Sequence, residues 1–122
     1  MAKTIMIVDD SASMRQVVGI ALRSAGYDVL EGCDGKDAIS KLTGQKVHLI
    51  ISDVNMPQMD GISFVKAVKQ MASYRFTPII MLTTESQEAK KREGQAAGAR
   101  AWVVKPFQPA QLLGAVQKLC LP

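Results

Sequence analysis

Five polar positions, each closing a short apolar run, carry the chemistry of this chain. Asp9 and Asp10 follow IMIV, Asp53 follows HLIIS, Thr83 or Thr84 follows IIML, and Lys105 follows WVV. If these runs are parallel strands, their carboxyl ends gather three carboxylates, a hydroxyl and an ammonium on one edge of one sheet. Such carboxylates repel each other and any anion. A phosphoryl charge about 4 Å from a carboxylate meets ~4 kcal/mol of repulsion at an effective dielectric near 20. A divalent cation reverses that sign. Magnesium takes roughly six oxygens and keeps several waters, so two carboxylates plus one backbone carbonyl is a workable protein share. Asn55, two residues past Asp53, can present that carbonyl as the chain turns toward Pro57. Lys105 and the Thr83 hydroxyl are suited to phosphoryl oxygens. The pattern predicts metal-assisted phosphoryl transfer with an aspartate as acceptor. Asp9-Asp10 alone would read equally well as solvated loop or helix-capping acids; Asp53 at a neighbouring strand end decides between the readings.

Turn and period signals along the chain supply the elements that must hold these groups. Strands are expected at 4–9, 28–32, 47–53, 78–83 and 101–105. Met14, Val17, Val18, Ala21, Leu22 and Ala25 recur at helical spacing until Gly26. Asp34-Gly35 reads as a turn before a second helix with Ala38, Ile39 and Leu42 on one face. A third helix follows the Met56–Gly61 loop with Phe64, Val65, Val68, Met71 and Ala72 inward. The fourth, about 87–97, has only Ala89, Ala96 and Ala97 for an apolar face, and its Gly94 costs roughly 1 kcal/mol relative to alanine. The fifth spans 109–120, with Leu112, Leu113, Val116, Leu119 and Cys120 on one side.

Five βα units imply a doubly wound α/β sandwich with a parallel sheet and helices on both faces. Strands one, three and four are apolar nearly throughout and belong in the middle; strand two, with Asp28 and Glu31, belongs at an edge. The order 2-1-3-4-5 satisfies this, and it sets Asp9, Asp10 and Asp53 at the switch point between strands one and three.

The chain has 122 residues, 48% hydrophobic and 21% charged, consistent with a single domain over 1–122. No apolar run approaches the ~18 residues of a membrane span. MAKTIMIVDD lacks the long apolar region of a signal peptide, so a cytoplasmic location is expected. Cys33 and Cys120 have no ligand spacing and are expected to serve packing. The net charge of +4 is uneven: residues 1–60 carry eight acids and six bases, residues 61–122 three acids and nine bases. The basic run Lys90-Lys91-Arg92 reads either as a solvated helix face or as a docking face for an acidic partner. No nucleic-acid recognition motif accompanies it. His48 begins strand three, at the opposite end from Asp53, and is assigned a structural role.

The segments IMIVDD, ISDVNMPQMDG, IIMLTTE and AGARAWVVKPF resemble the receiver domain of bacterial two-component response regulators, most nearly its free-standing, CheY-like chemotaxis members. The resemblance covers essentially the whole chain. It implies that Asp53 accepts a phosphoryl group from a sensor histidine kinase in a magnesium-dependent reaction. Asp10, Asp53 and the Asn55 carbonyl would be metal ligands, and Asp9 would act through a metal-bound water. Lys105 and Thr83 would hold the phosphoryl oxygens, with self-catalysed hydrolysis tuned by Asn55 and Glu85. It also implies a cis Lys105-Pro106 bond and a switch in which Thr83 moves toward the phosphoryl group and Trp102, at a position usually tyrosine, swings inward. The output would be a change of protein partner by a monomer, at the face formed by helix four, strand five and helix five.

Two features depart from the chemotaxis pattern or bear on it. The helix-four face carries Lys90, Lys91, Arg92 and Gln95 where exposed apolar residues would dock the flagellar switch protein, which argues against motor binding. Pro122 follows helix five directly, so no output domain is expected. A phosphorelay intermediate or phosphate sink, needing the site but no motor face, is the main alternative. A flavodoxin-like carrier is disfavoured because Asp9-Asp10 would repel a flavin phosphate. A haloacid-dehalogenase-type phosphatase would need a second aspartate where Ser11 stands.

Overall fold

The computed structural model describes residues 2–120; the chain-end reading at Pro122 falls outside them. Strands β1 (Thr4–Val8), β2 (Asp28–Gly32), β3 (Leu49–Ser52), β4 (Ile79–Thr83) and β5 (Ala101–Val104) alternate with helices. These are α1 (Ala12–Ser24), α2 (Gly35–Leu42), α3 (Gly61–Lys69), α4 (Glu88–Ala97) and α5 (Pro109–Leu119), with one 3-10 turn at Ala72–Tyr74. All strand pairs are parallel and the order is β2-β1-β3-β4-β5, as expected from strand polarity. Among the described residues no helix is long and apolar enough to cross a membrane.

Successive strand residues point to opposite faces, and the sheet uses both. Met6, Val8, Ile50, Ile79 and Met81 pack with Ala38, Leu42, Phe64, Val65 and Val68 of α2 and α3. Ile5, Ile7, Ile51, Ile80 and Leu82 pack with Val18, Leu22, Leu112 and Val116 of α1 and α5. Three helices start directly beside the strand ends because each has a capping side chain. Ser11 accepts from the Met14 N–H, Asp34 from Asp37 and Asp60 from Ser63, satisfying otherwise unpaired first-turn donors.

Several local expectations are corrected. Asp34-Gly35 is not a free turn: Asp34 caps α2 and Gly35 is its first residue. The third helix stops at Lys69, and Ala72 lies exposed in the 3-10 turn. Val17 points outward at 53% exposure, since α1 buries only the narrow stripe of Val18, Gly19 and Leu22. Cys33 is exposed, just past the edge strand, while Cys120 is buried as expected. On α4, Ala89 and Ala96 are exposed and Gly94 is buried. The Trp102 ring lies against Gly94, where a Cβ would come 2.7 Å from Cζ3. Gly94, apparently a cost to the helix, is the seat that lets it approach an indole. His48 is structural: its Nδ1 accepts from the Thr4 N–H at 3.0 Å, and its own N–H donates to the Thr4 carbonyl at 2.8 Å.

Gly61 positions the most reactive strand end. A Cβ there would lie 1.9 Å from the Asp53 carbonyl oxygen and 2.7 Å from the Val54 Cα. The Gly61 N–H also donates to the Val54 carbonyl at 2.7 Å. Nothing bulkier than hydrogen fits without moving the backbone that carries Asp53. Gly61→Ala is therefore expected to destabilise the fold by about 3 kcal/mol, the upper end for overpacking. Urea denaturation checks this, and an unchanged midpoint would mean that the start of α3 slides freely.

Candidate functional site

Strand register delivers the acids. Val8 pairs with Ser52 across β1 and β3, so the next residue of each strand is an aspartate. Asp9 and Asp53 thus leave adjacent strands side by side, both buried at 3% and 8% exposure. Both lie one residue beyond the strands rather than in them, and their N–H groups still donate to the neighbouring strands, Asp53 to Val8 at 2.9 Å and Asp9 to Gly32 at 3.1 Å. Asp10 is exposed beside them. One carboxylate oxygen from each of the three lies within 4.8 Å of the others.

Lys105 answers the charge. Its N–H donates to the Thr83 carbonyl at 2.8 Å, extending the β4–β5 pairing by one residue. From there its ammonium reaches across β4 to donate to Asp9 Oδ2 at 2.7 Å and to approach Asp53 Oδ2 at 3.3 Å. With strands spaced by about 4.8 Å, only a long cationic side chain on β5 can reach β3. Burial alone would push this ammonium down. The Asp9 hydrogen bond and the charges of Asp53 and Asp9 outweigh that and hold it above the ordinary lysine range. The Lys105-Pro106 bond is cis, as the resemblance implied.

The remaining oxygens are occupied by backbone. Asp53 Oδ1 accepts from the Val54 N–H at 2.6 Å, with the Asn55 N–H at 3.4 Å. Asp9 Oδ1 accepts from the Ser11 N–H at 2.9 Å. Thr83 is fully buried, and its Oγ1 accepts from the Glu85 N–H at 3.1 Å. Thr84 is exposed. Glu85 also links outward, because its carbonyl accepts from the Trp102 indole N–H at 2.9 Å. Of the residues singled out in the sequence, Asp9, Asp53 and Lys105 are in direct contact and Asp10 lies within reach of them. Thr83, Glu85 and Trp102 form a second hydrogen-bonded line, and Asn55 is exposed at the rim.

The pocket suits a hard divalent cation. Its three convergent donors are carboxylate oxygens with no histidine or cysteine among them, and exposed Asp10 leaves a way in. One contributor escaped the sequence reading. Arg15 Nη1 donates to the Asp9 carbonyl at 2.6 Å and its Nε to Glu31 Oε1 at 3.1 Å. It sits one turn into α1 amid helical periodicity, and only its distance from the strand end, four residues past the Ser11 cap, hinted at its direction.

Removing Lys105 leaves two buried carboxylates facing each other. Lys105→Met should lower stability in metal-free buffer by roughly 3 kcal/mol, the scale for breaking a buried ion pair. Thermal melting with chelator present tests this; an unaltered melting temperature would mean that solvent already neutralises the pair.

The profile of the response regulator receiver domain matches residues 5–117. The chemotaxis protein CheY1 of Helicobacter pylori is 39% identical over 110 residues, covering 88% of this chain and 89% of that protein. The structure of Vibrio cholerae chemotaxis protein CheY4 matches with a TM-score of 0.93 at 49% identity, over 98% of this chain and 99% of that one. The receiver domain of the Pseudomonas aeruginosa sensor histidine kinase PA1611 matches with a TM-score of 0.90 at 28% identity, over 98% of each chain. That structure has a magnesium ion coordinated in its active-site cleft. Likeness of this extent, running from β1 into α5, gives the acidic pocket its context: this chain belongs to the response regulator receiver-domain family.

Proposed function

We propose that the chain is a CheY-like signalling switch whose Asp53 accepts a phosphoryl group from a phosphohistidine of a sensor kinase. The observation that carries this reading is the position of Asp53 Oδ2, 3.3 Å from the Lys105 ammonium and inside the three-carboxylate cluster. Asp9 also touches Lys105, but more tightly, at 2.7 Å, and each acid has its other oxygen bonded to backbone; the looser hold leaves Asp53 Oδ2 the freer oxygen. Asp53 is therefore the better nucleophile.

In the transfer, an Asp53 oxygen forms a bond to phosphorus as the bond from phosphorus to the donor imidazole nitrogen breaks. Asp9, Asp10, Asp53 and the Asn55 carbonyl would hold magnesium, which supplies positive charge that cancels the repulsion between the acids and the incoming phosphoryl oxygens. Lys105 exchanges its present contact with Asp53 for a phosphoryl oxygen while keeping Asp9. The Thr83 hydroxyl, one strand away, donates to another oxygen. Its departure from the Glu85 N–H disturbs the loop whose carbonyl holds Trp102, which couples the site to the α4–β5–α5 face. Glu85 and Asn55, at the rim, are suited to tuning how readily water hydrolyses the acyl phosphate. Small phosphodonors with magnesium should label wild type and leave Asp53→Asn unlabelled. Equal labelling of both, followed by peptide mapping, would move the acceptor elsewhere.

The output partner is proposed from charge. Lys90 and Lys91 are half-buried and Arg92 and Gln95 exposed on α4, and among the described residues Lys90 has one loose partner, Glu93 at 3.9 Å. An apolar peptide anchor would have to desolvate these bases, at a cost of several kcal/mol for an unpaired charge. This favours an acidic partner, or a phosphorelay or sink role, over the flagellar switch protein. Calorimetry of phosphorylated protein against a flagellar switch peptide should give no micromolar binding at physiological salt; such binding would restore a motor role.

A further inference from the structure

Of the three acids in the pocket, two are held by the protein and one is not. Asp9 is bonded to Ser11 and Lys105, and Asp53 to Val54 and Lys105. The carboxylate of Asp10 has no hydrogen-bond partner among the described residues, although its oxygen converges on the others within 4.8 Å. What aims it is the backbone. The Asp9 carbonyl belongs to the same planar peptide as the Asp10 N–H, so whatever fixes that carbonyl fixes the direction in which Asp10 leaves the chain.

Arg15 fixes it. Its Nη1 donates to the Asp9 carbonyl at 2.6 Å from a side chain only 17% exposed. The guanidinium is in turn clamped by Glu31 on the edge strand β2, through Nε at 3.1 Å. Glu31 has a further, looser contact to Arg23 at 3.7 Å, and its own carbonyl accepts from Lys41 at 2.9 Å. The Asp9 N–H donates to the Gly32 carbonyl at 3.1 Å, so β2 grips Asp9 from both sides of its Cα. Glu31 also offsets the positive charge that Arg15 brings near a cation site.

We propose that Arg15, oriented by Glu31, is the positioning residue for Asp10: it locks the Asp9–Asp10 peptide so that the free carboxylate is preset for the divalent cation. This rests on the metal-binding role proposed above for Asp10. Outer partners that orient metal ligands are commonly worth roughly 10-fold or more in affinity. A through-space effect of the same arginine has the opposite sign, because removing a cation near the pocket would tighten metal binding. Arginine and lysine also separate the two, since lysine keeps the charge but lacks the fork that reaches a carbonyl and a carboxylate together.

Magnesium titrations by calorimetry on wild type, Arg15→Gln and Arg15→Lys decide the matter, with melting curves in chelator to monitor the fold. Both variants should bind magnesium about 10-fold more weakly. Tighter binding by Arg15→Gln would assign Arg15 a purely electrostatic role and overturn the proposal. Wild-type affinity in either folded variant, with or without a lowered melting temperature, would reduce Arg15 to a structural strap and overturn it equally. If Arg15→Gln does not fold, Arg15→Lys alone carries the test. Failure of wild type itself to bind magnesium would instead refute the metal reading on which the proposal rests.

Discussion

Neighbouring parallel strands that end in aspartate force their carboxylates together, and the structure of this edge follows from the need to offset that repulsion. Val8 and Ser52 are paired in the sheet, so Asp9 and Asp53 cannot separate without breaking the β1–β3 ladder. In a site this buried, the repulsion is screened far less than on an open surface. Lys105 meets both acids with one ammonium. Because it comes from β5, two strands from β3, its reach ties the far side of the sheet to the switch point. A charge arriving among these acids would therefore bear on the contacts of a residue two strands from β3.

A second line of contacts runs outward from the same edge. Thr83, Glu85 and Trp102 form a hydrogen-bonded line from the end of β4 to the outer strand. It passes through backbone atoms of Glu85, which respond to displacement whatever the side chain is. Trp102 then rests on α4 at Gly94, the one buried position of that helix. With so little apolar surface of its own, α4 is held by its packing against α3 and by this contact, while α1 and α5 are fastened by the buried leucines and valines of the opposite face. Among the described residues, α4 is the one helix that gives no buried side chain to either apolar cluster.

The charge arrangement divides the molecule in a related way. Acids dominate the half containing β1 to β3, where a cation is wanted, and bases dominate the half containing α4 and α5. Acidic pocket and basic helix face lie on one small domain. The pocket is suited to a divalent ion, and the α4 face presents charge of the opposite sign to solvent.

The amino-acid sequence by itself determined the sheet order and the chemistry of its edge. Apolar runs ending in Asp9, Asp53, Thr83 and Lys105 left little freedom: residues that apolar must be covered on both faces, and the polar ones must then emerge together. Strand two betrayed its edge position through Asp28 and Glu31 for the same reason. What escaped the sequence were features set by contacts across elements. Asp34 reads as a turn residue until the start of α2 gives it an N–H to cap, and Val17 reads as core until α1 shows how narrow a stripe it buries. Gly94 looks like a defect in a weak helix until the indole of Trp102 arrives from β5 to occupy the missing Cβ. Arg15 looks like any helical arginine until the β1–β2 pairing brings Glu31 beside the Asp9 carbonyl. Periodicity records which side of an element is apolar; only the tertiary structure decides which particular atoms meet there, because those meetings depend on distances between segments that the local pattern does not encode.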